Sequence, residues 1–126
     1  MIYFVLLFVS VFIVWIFLIY YFKNKYKKSL DSSKITFFMK KIKLISNSSF
    51  SYREKILEYD KIYHNILKEV WYSGTFWDIL KTNPKEIDNI NKIWELHKIR
   101  NKLAHDLSEI QENILLKNSR EFEKEI

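Results

Sequence analysis

Ile2 to Phe22 is a run of 21 residues without a charge, in which only Ser10 is strongly polar. At 1.5 Å of rise per residue a helix of that length crosses the ~30 Å hydrocarbon core of a bilayer. The run therefore predicts a transmembrane helix, assigned to residues 1–22. A cleavable signal peptide has a basic segment before a shorter apolar stretch and a small-residue cleavage site after it. Nothing basic precedes Ile2, and nothing of the A-x-A kind follows Phe22. Trp15, Tyr20 and Tyr21 suit the interfacial belt at the far end of the span, and Lys23, Lys25, Lys27 and Lys28 come next. By the positive-inside tendency this places the N-terminus outside and the remainder of the chain in the cytoplasm.

What is left is enough for one small domain of about 80 residues, whose core is modest. Helix packing or a partner subunit is expected to add stability to a domain of that size. With no cysteine in the chain, disulfides and thiolate metal sites are excluded. The formal charge of +6 suggests nucleic acid until the charges are placed along the sequence. Residues 23–45 hold eight lysines against Asp31, whereas residues 46–126 hold 13 basic and 14 acidic side chains. The basicity is juxtamembrane. Any RNA contact made by the C-terminal domain must come from local geometry and not from a broad positive face.

Residues 23–49 read as a basic linker. Within it Lys34 to Ile45 sets Ile35, Phe38, Ile42 and Ile45 at helical spacing among Lys40, Lys41 and Lys43. Two readings stand side by side: an amphipathic segment lying on anionic lipid, or a spacer packed on the domain. The Ser- and Asn-rich stretch 46–49 marks a boundary, and Ser49 or Ser51 is placed to cap the first helix of the domain. In the domain, residues 50–126, apolar residues recur at threes and fours from Tyr52 to about Tyr72, which predicts an amphipathic helix ended by Ser73-Gly74. Thr75 caps a short helix that stops at Asn83-Pro84. A third helix is expected over Lys85 to His105. Ser108-Glu-Ile-Gln111 reads as a capping box for a last helix that buries Ile110, Ile114, Leu115 and Phe122. No strand pattern, repeat or glycine-rich loop is present. The fold class is all-α: one N-terminal transmembrane helix followed by a small antiparallel bundle.

The chemistry gathers in Trp94-Glu-Leu-His97-Lys-Ile-Arg100-Asn101-Lys-Leu-Ala104-His105-Asp106. With Arg100 as zero and about 100° per residue, His97 falls near 60°, Asn101 near 100° and His105 near 140°. Ile93, Leu96, Leu103 and Leu107 form a neighbouring stripe for the core. The chain has 18 lysines against three arginines and a single alanine, so Arg100 and Ala104 stand out. Lysine lacks the planar fork that grips carboxylate or phosphate, and Ala104 suggests a close contact. The structural reading is that Arg100 pairs with Asp60 or Glu58 across the bundle, while His97, Asn101 and His105 satisfy one another and the helix ends. His97, His105 and Asp106 do not make a metal site, because the two histidines are two turns apart and no HExxH pattern exists; no cofactor is expected. His64 reads as solvated, and Trp77 and Trp94 as core residues.

Trp94-x-x-His97-Lys98-x-Arg100-Asn101-x-x-Ala104-His105 resembles the signature of small single-pass proteins of reduced-genome bacteria whose cytoplasmic part is HEPN-like (higher eukaryotes and prokaryotes nucleotide-binding). The resemblance extends over residues 50–126 and the anchor. Glu58-Tyr-Asp60-Lys61 sits where that family has an acidic pair in its first helix, and Tyr72-Ser-Gly74 matches the tail of its turn, without the first glycine. In HEPN ribonucleases Arg, often a polar residue, and His follow one another as in Arg100-Asn101-x-x-x-His105. The resemblance implies a homodimer that brings two such motifs together, with RNA or a nucleotide as ligand. In the catalytic version, a metal-independent endoribonuclease, His105 is the general acid/base, Arg100 holds the phosphate, and Asn101 and His97 orient them. In the non-catalytic version the domain is a dimerising binding or scaffold module that tethers a protein partner at the membrane. The near-neutral charge of the domain favours this second version.

Overall fold

The computed structural model describes residues 2–25, 29–105 and 110–126, and every regular element among them is a helix. In chain order these are α1 (Ile2–Lys25), α2 (Ser32–Ser46), α3 (Tyr52–Glu69), α4 (Phe76–Lys81), α5 (Ile90–His105) and α6 (Glu112–Glu125). Tyr3–Phe22 of α1 is long and apolar enough to cross a membrane, and none of it is buried in the protein.

The rest of the fold is arranged around α3, which packs against α2, α5 and α6. The reason is its periodicity: Ile56, Tyr59, Ile62, Tyr63 and Leu67 recur every third or fourth residue and are all buried. Ile79 and Leu80 of α4, Ile93 and Leu96 of α5 and Phe122 of α6 close the core on α3 and are almost fully excluded from solvent. Each such side chain stabilises the fold by about 1.5–3 kcal/mol relative to exposure. One expected core residue departs from this: Ile114 is 44% exposed, and α6 instead turns Asn118, Ser119 and Phe122 inward. The Asn118 amide donates to the Ile114 carbonyl at 2.7 Å, which satisfies it within its own helix.

Local signals set the helix ends. Ser51 opens α3 with a capping box, its side chain accepting from the Glu54 N–H while the Glu54 carboxylate accepts from the Ser51 N–H. Thr75 and Asp78 repeat the arrangement at α4. α3 ends earlier than Gly74 suggests. Val70 is its C-cap, the Tyr72 N–H donates to the Leu67 carbonyl and the Trp71 N–H to the Lys68 carbonyl, so the left-handed residue is Trp71, at φ 80°. Gly74 serves the next element, since its φ of 100° turns the chain into the Thr75 cap. The expected start of the third main helix at Lys85 is also too early. Residues 85–89 form a turn that buries Ile87, and the Asn89 side chain accepts from the Lys92 N–H just before Ile90. At the last helix the N-cap is Gln111, without a side-chain cap. The capping box expected from Ser108 lies outside the described residues, as do Asp106 and Leu107.

Candidate functional site

α3 and α5 cross so that Asp60 faces His97 and Arg100. The Asp60 carboxylate is 4% exposed, and a buried carboxylate without partners is strongly disfavoured. Here both oxygens are engaged. His97 Nδ1 lies 2.7 Å from Oδ1, and Arg100 Nε lies 3.2 Å from Oδ2. The second contact is an ion pair without a directed hydrogen bond, since the Nε–H does not point along the line to the oxygen.

Asn101 completes the arrangement. Its side-chain carbonyl accepts from Arg100 Nη1 at 2.9 Å, and its amide nitrogen lies 3.2 Å from His97 Nε2. These roles are consistent only if His97 carries its proton on Nδ1, donating to Asp60 and accepting from Asn101. Asp60, His97, Asn101 and Arg100 thus form a closed ring. The ring fits arginine at position 100, whose planar fork presents separate nitrogens to the carboxylate and the amide.

The ring lines one wall of an open groove of about 610 Å³. His64 and Lys68, one and two turns along α3 from Asp60, share that wall, and Gly74 to Asp78 form another. His64 is half-buried there and has partners. Its Nε2 lies 3.1 Å from the Gly74 carbonyl, and its ring stacks on Phe76 at 5.5 Å and 14°. Phe76 in turn meets His97 edge-on at 4.7 Å. The spacing of Asp60, His64 and Lys68 at i, i+4, i+8 carried the signal for this shared face. In the same groove the Thr75 hydroxyl, then its backbone N–H, hold the Asp78 carboxyl below its usual range.

Other expected site residues lie elsewhere. Glu58 pairs with Lys61 at 2.6 Å and not with Arg100. Trp94 is half-buried against the core, as expected, but its edge-to-face partner Trp77, at 4.4 Å, is 41% exposed. Ala104 is exposed, so the close contact that its size suggests is not made within the described bundle. It borders a second groove, of about 440 Å³, with Phe50, Arg53, Leu57 and Leu103. There the Arg53 guanidinium donates to the Leu103 carbonyl and caps the C-terminal turn of α5, a role that the sequence did not signal.

His105 ends α5 on the surface, lines neither groove, and has no hydrogen bond or ion pair with another described residue. It does not join the Arg100 ring within one protomer. Among the described residues no three His, Asp or Glu side chains converge to hold a metal ion. In chemical terms the ring is a positioned but covered imidazole: Asp60 orients it, and the Asn101 amide occupies the nitrogen that a general base would offer to a substrate.

Comparison with known proteins finds no matching family model, no similar curated protein and no similar solved structure.

Proposed function

We propose that this chain is a membrane-anchored, HEPN-like helical module that binds and scaffolds a partner and does not cleave RNA. α1 is its single membrane span. The lysines that follow Phe22 set the C-terminal domain in the cytoplasm and the N-terminus outside. The observation that carries the non-catalytic reading is the closed ring. His97 is held from both ring nitrogens, by Asp60 and by Asn101, Arg100 closes the ring through its ion pair to Asp60 and its bond to Asn101, and His105, which has no such partner among the described residues, is outside the ring.

The same observations support homodimerisation through the outer side of α5. Ala104 and His105 are exposed next to the groove that holds Phe50 and Leu57. A small residue beside a groove that sets Phe50, Leu57 and Leu103 among the charged Arg53, Glu54, Glu58 and Lys61 suits a close helix contact with a second copy. The test is the mass of the full chain in detergent by light scattering. Wild type is expected to be a dimer, and Ala104→Arg a monomer with an unchanged helical spectrum. A wild-type monomer at all concentrations overturns the dimer. The catalytic alternative is tested separately, by incubation of the reconstituted chain with single-stranded RNA in EDTA.

A further inference from the structure

α2 carries two apolar faces that point apart. One holds Phe38, Ile42 and Ile45, which lie buried or half-buried against the bundle. An ion pair from Lys34 to Glu69 fastens the start of the helix to α3, and the Lys55 ammonium, donating to the Ser46 carbonyl at 2.8 Å, fastens its end. At about 100° per residue, Phe37 and Leu44 fall together, a little over a quarter-turn from Phe38. These two side chains are 53% and 63% exposed. Lys40 and Lys41 flank them on either side and are exposed, and the Lys41 ammonium lies 4.9 Å from the centre of the Phe37 ring.

The chain also keeps the start of this helix close to the membrane. Residues 26–31 separate α1 from α2. Six residues, even fully extended, reach about 20 Å. With α1 in a bilayer, the start of α2 stays within about that distance of the headgroups, in the part of the chain where lysines outnumber acids eight to one. An apolar ridge flanked by ammonium groups matches the boundary between acyl chains and anionic headgroups. Because the bundle already holds α2 as a helix, docking needs no folding step, which removes an entropic cost that a free peptide would meet.

We infer that the Phe37–Leu44 ridge of α2 docks on anionic lipid headgroups of the leaflet that α1 enters, with Lys40 and Lys41 on the phosphates. The contact holds the domain in one orientation on the membrane. It rests on the assignment of α1 as a span, and the two are separable by experiment.

The chain has no cysteine, so single labels are clean. The full chain carries an environment-sensitive fluorophore at Leu44→Cys, or at Lys117→Cys on exposed α6 as a control. It is reconstituted in vesicles of phosphatidylcholine alone or mixed with phosphatidylglycerol. The Leu44 label is expected to shift to the blue and to be quenched by a lipid-borne quencher only in the mixture, while the Lys117 label responds in neither. High salt, or Lys40→Gln with Lys41→Gln, is expected to weaken docking, the double variant by about thirtyfold in the equilibrium constant. A Leu44 label that matches Lys117 in all vesicles, with the chain retained after carbonate washing, overturns the docking alone. Release by carbonate overturns the span and the docking with it. A Leu44 label shielded equally in both lipids and unmoved by salt assigns the ridge to a second copy of the chain, and the inference fails.

Discussion

His97 Nδ1 and the Asp60 carboxylate meet at 2.7 Å across the interface of α3 and α5, with both side chains almost wholly excluded from solvent. The contact joins the central helix of the bundle to the helix that carries the polar motif, and Arg100 closes on the same carboxylate from its other oxygen. This buried junction, and not the surface end of the motif, is where substitutions should be felt most.

Asp60→Asn is expected to destabilise residues 29–126 by about 2–3 kcal/mol in urea denaturation. It leaves the Arg100 charge facing an amide and replaces the charged acceptor of His97 with a neutral one. Arg100→Lys should cost about 1–2 kcal/mol, since an ammonium keeps the charge but loses the contact with either Asp60 or Asn101. The double variant should cost less than the sum, because the two residues share one network. Additive costs would mean that the ion pair contributes nothing.

The end of α3 and the start of α4 offer a pair of substitutions with opposite signs. Trp71 holds a left-handed conformation that costs an L-residue about 1 kcal/mol, so Trp71→Gly is expected to raise stability by about that amount. Gly74→Ala should lower it by about 1–2 kcal/mol: φ is 100°, and the added Cβ comes within 3.3 Å of the Asp78 Cβ. Denaturation midpoints of the two variants, on either side of wild type, check both.

Much of this architecture was legible because it rests on local rules. The threes and fours of α3, the Ser51 and Thr75 caps and the apolar run of α1 each come from neighbours in sequence. The pairing of Arg100 with Asp60 was expected as one of two acidic choices, and the choice itself was not legible. Asp60 and Glu58 differ by about 160° around α3, so which of them faces α5 depends on how the two helices pack. Trp71 was hidden for a different reason: a tryptophan in the left-handed position runs against propensity, and the nearby glycine offered a better place for the turn. His64 reads as solvated from the sequence because the ring it stacks on, Phe76, comes from the next helix.

The two capping boxes make stability depend on acid pH. Backbone and side-chain hydrogen bonds from Ser51 hold the Glu54 carboxyl below its ordinary value of 4.5, and the side-chain and backbone bonds from Thr75 hold that of Asp78 below 3.8. A carboxyl whose folded pKa is depressed contributes stability above its unfolded pKa and loses it as pH falls through the folded value. The contribution should therefore be intact at neutral pH, begin to fade below about 4.5 and be lost further down. Thermal midpoints measured from pH 7 to pH 3 should show Glu54→Gln with Asp78→Asn less acid-sensitive than wild type, and less stable at neutral pH. Parallel curves for the two proteins would remove the caps from the acid response.

His105 separates the scaffold from the enzyme. It is exposed and has no partner among the described residues of its protomer, so His105→Ala should change the stability of residues 29–126 by no more than about 0.5 kcal/mol. In the scaffold reading the wild-type chain shows no cleavage of single-stranded RNA in EDTA above that of His105→Ala. In the catalytic alternative a second copy must bring His105 to the Arg100 of its partner, and loss of the imidazole should then lower cleavage by about 10²–10⁴-fold. Each arm has its own control. Arg100→Lys, which also weakens the ring, speaks for a phosphate contact only where activity falls while the helical spectrum of the variant is unchanged, and Ala104→Arg should abolish activity only if the dimer assembles the site. Cleavage by wild type that disappears in all three variants would replace the scaffold with a metal-independent ribonuclease. No cleavage, with an intact dimer in His105→Ala, leaves the closed ring as the structural centre of a binding module.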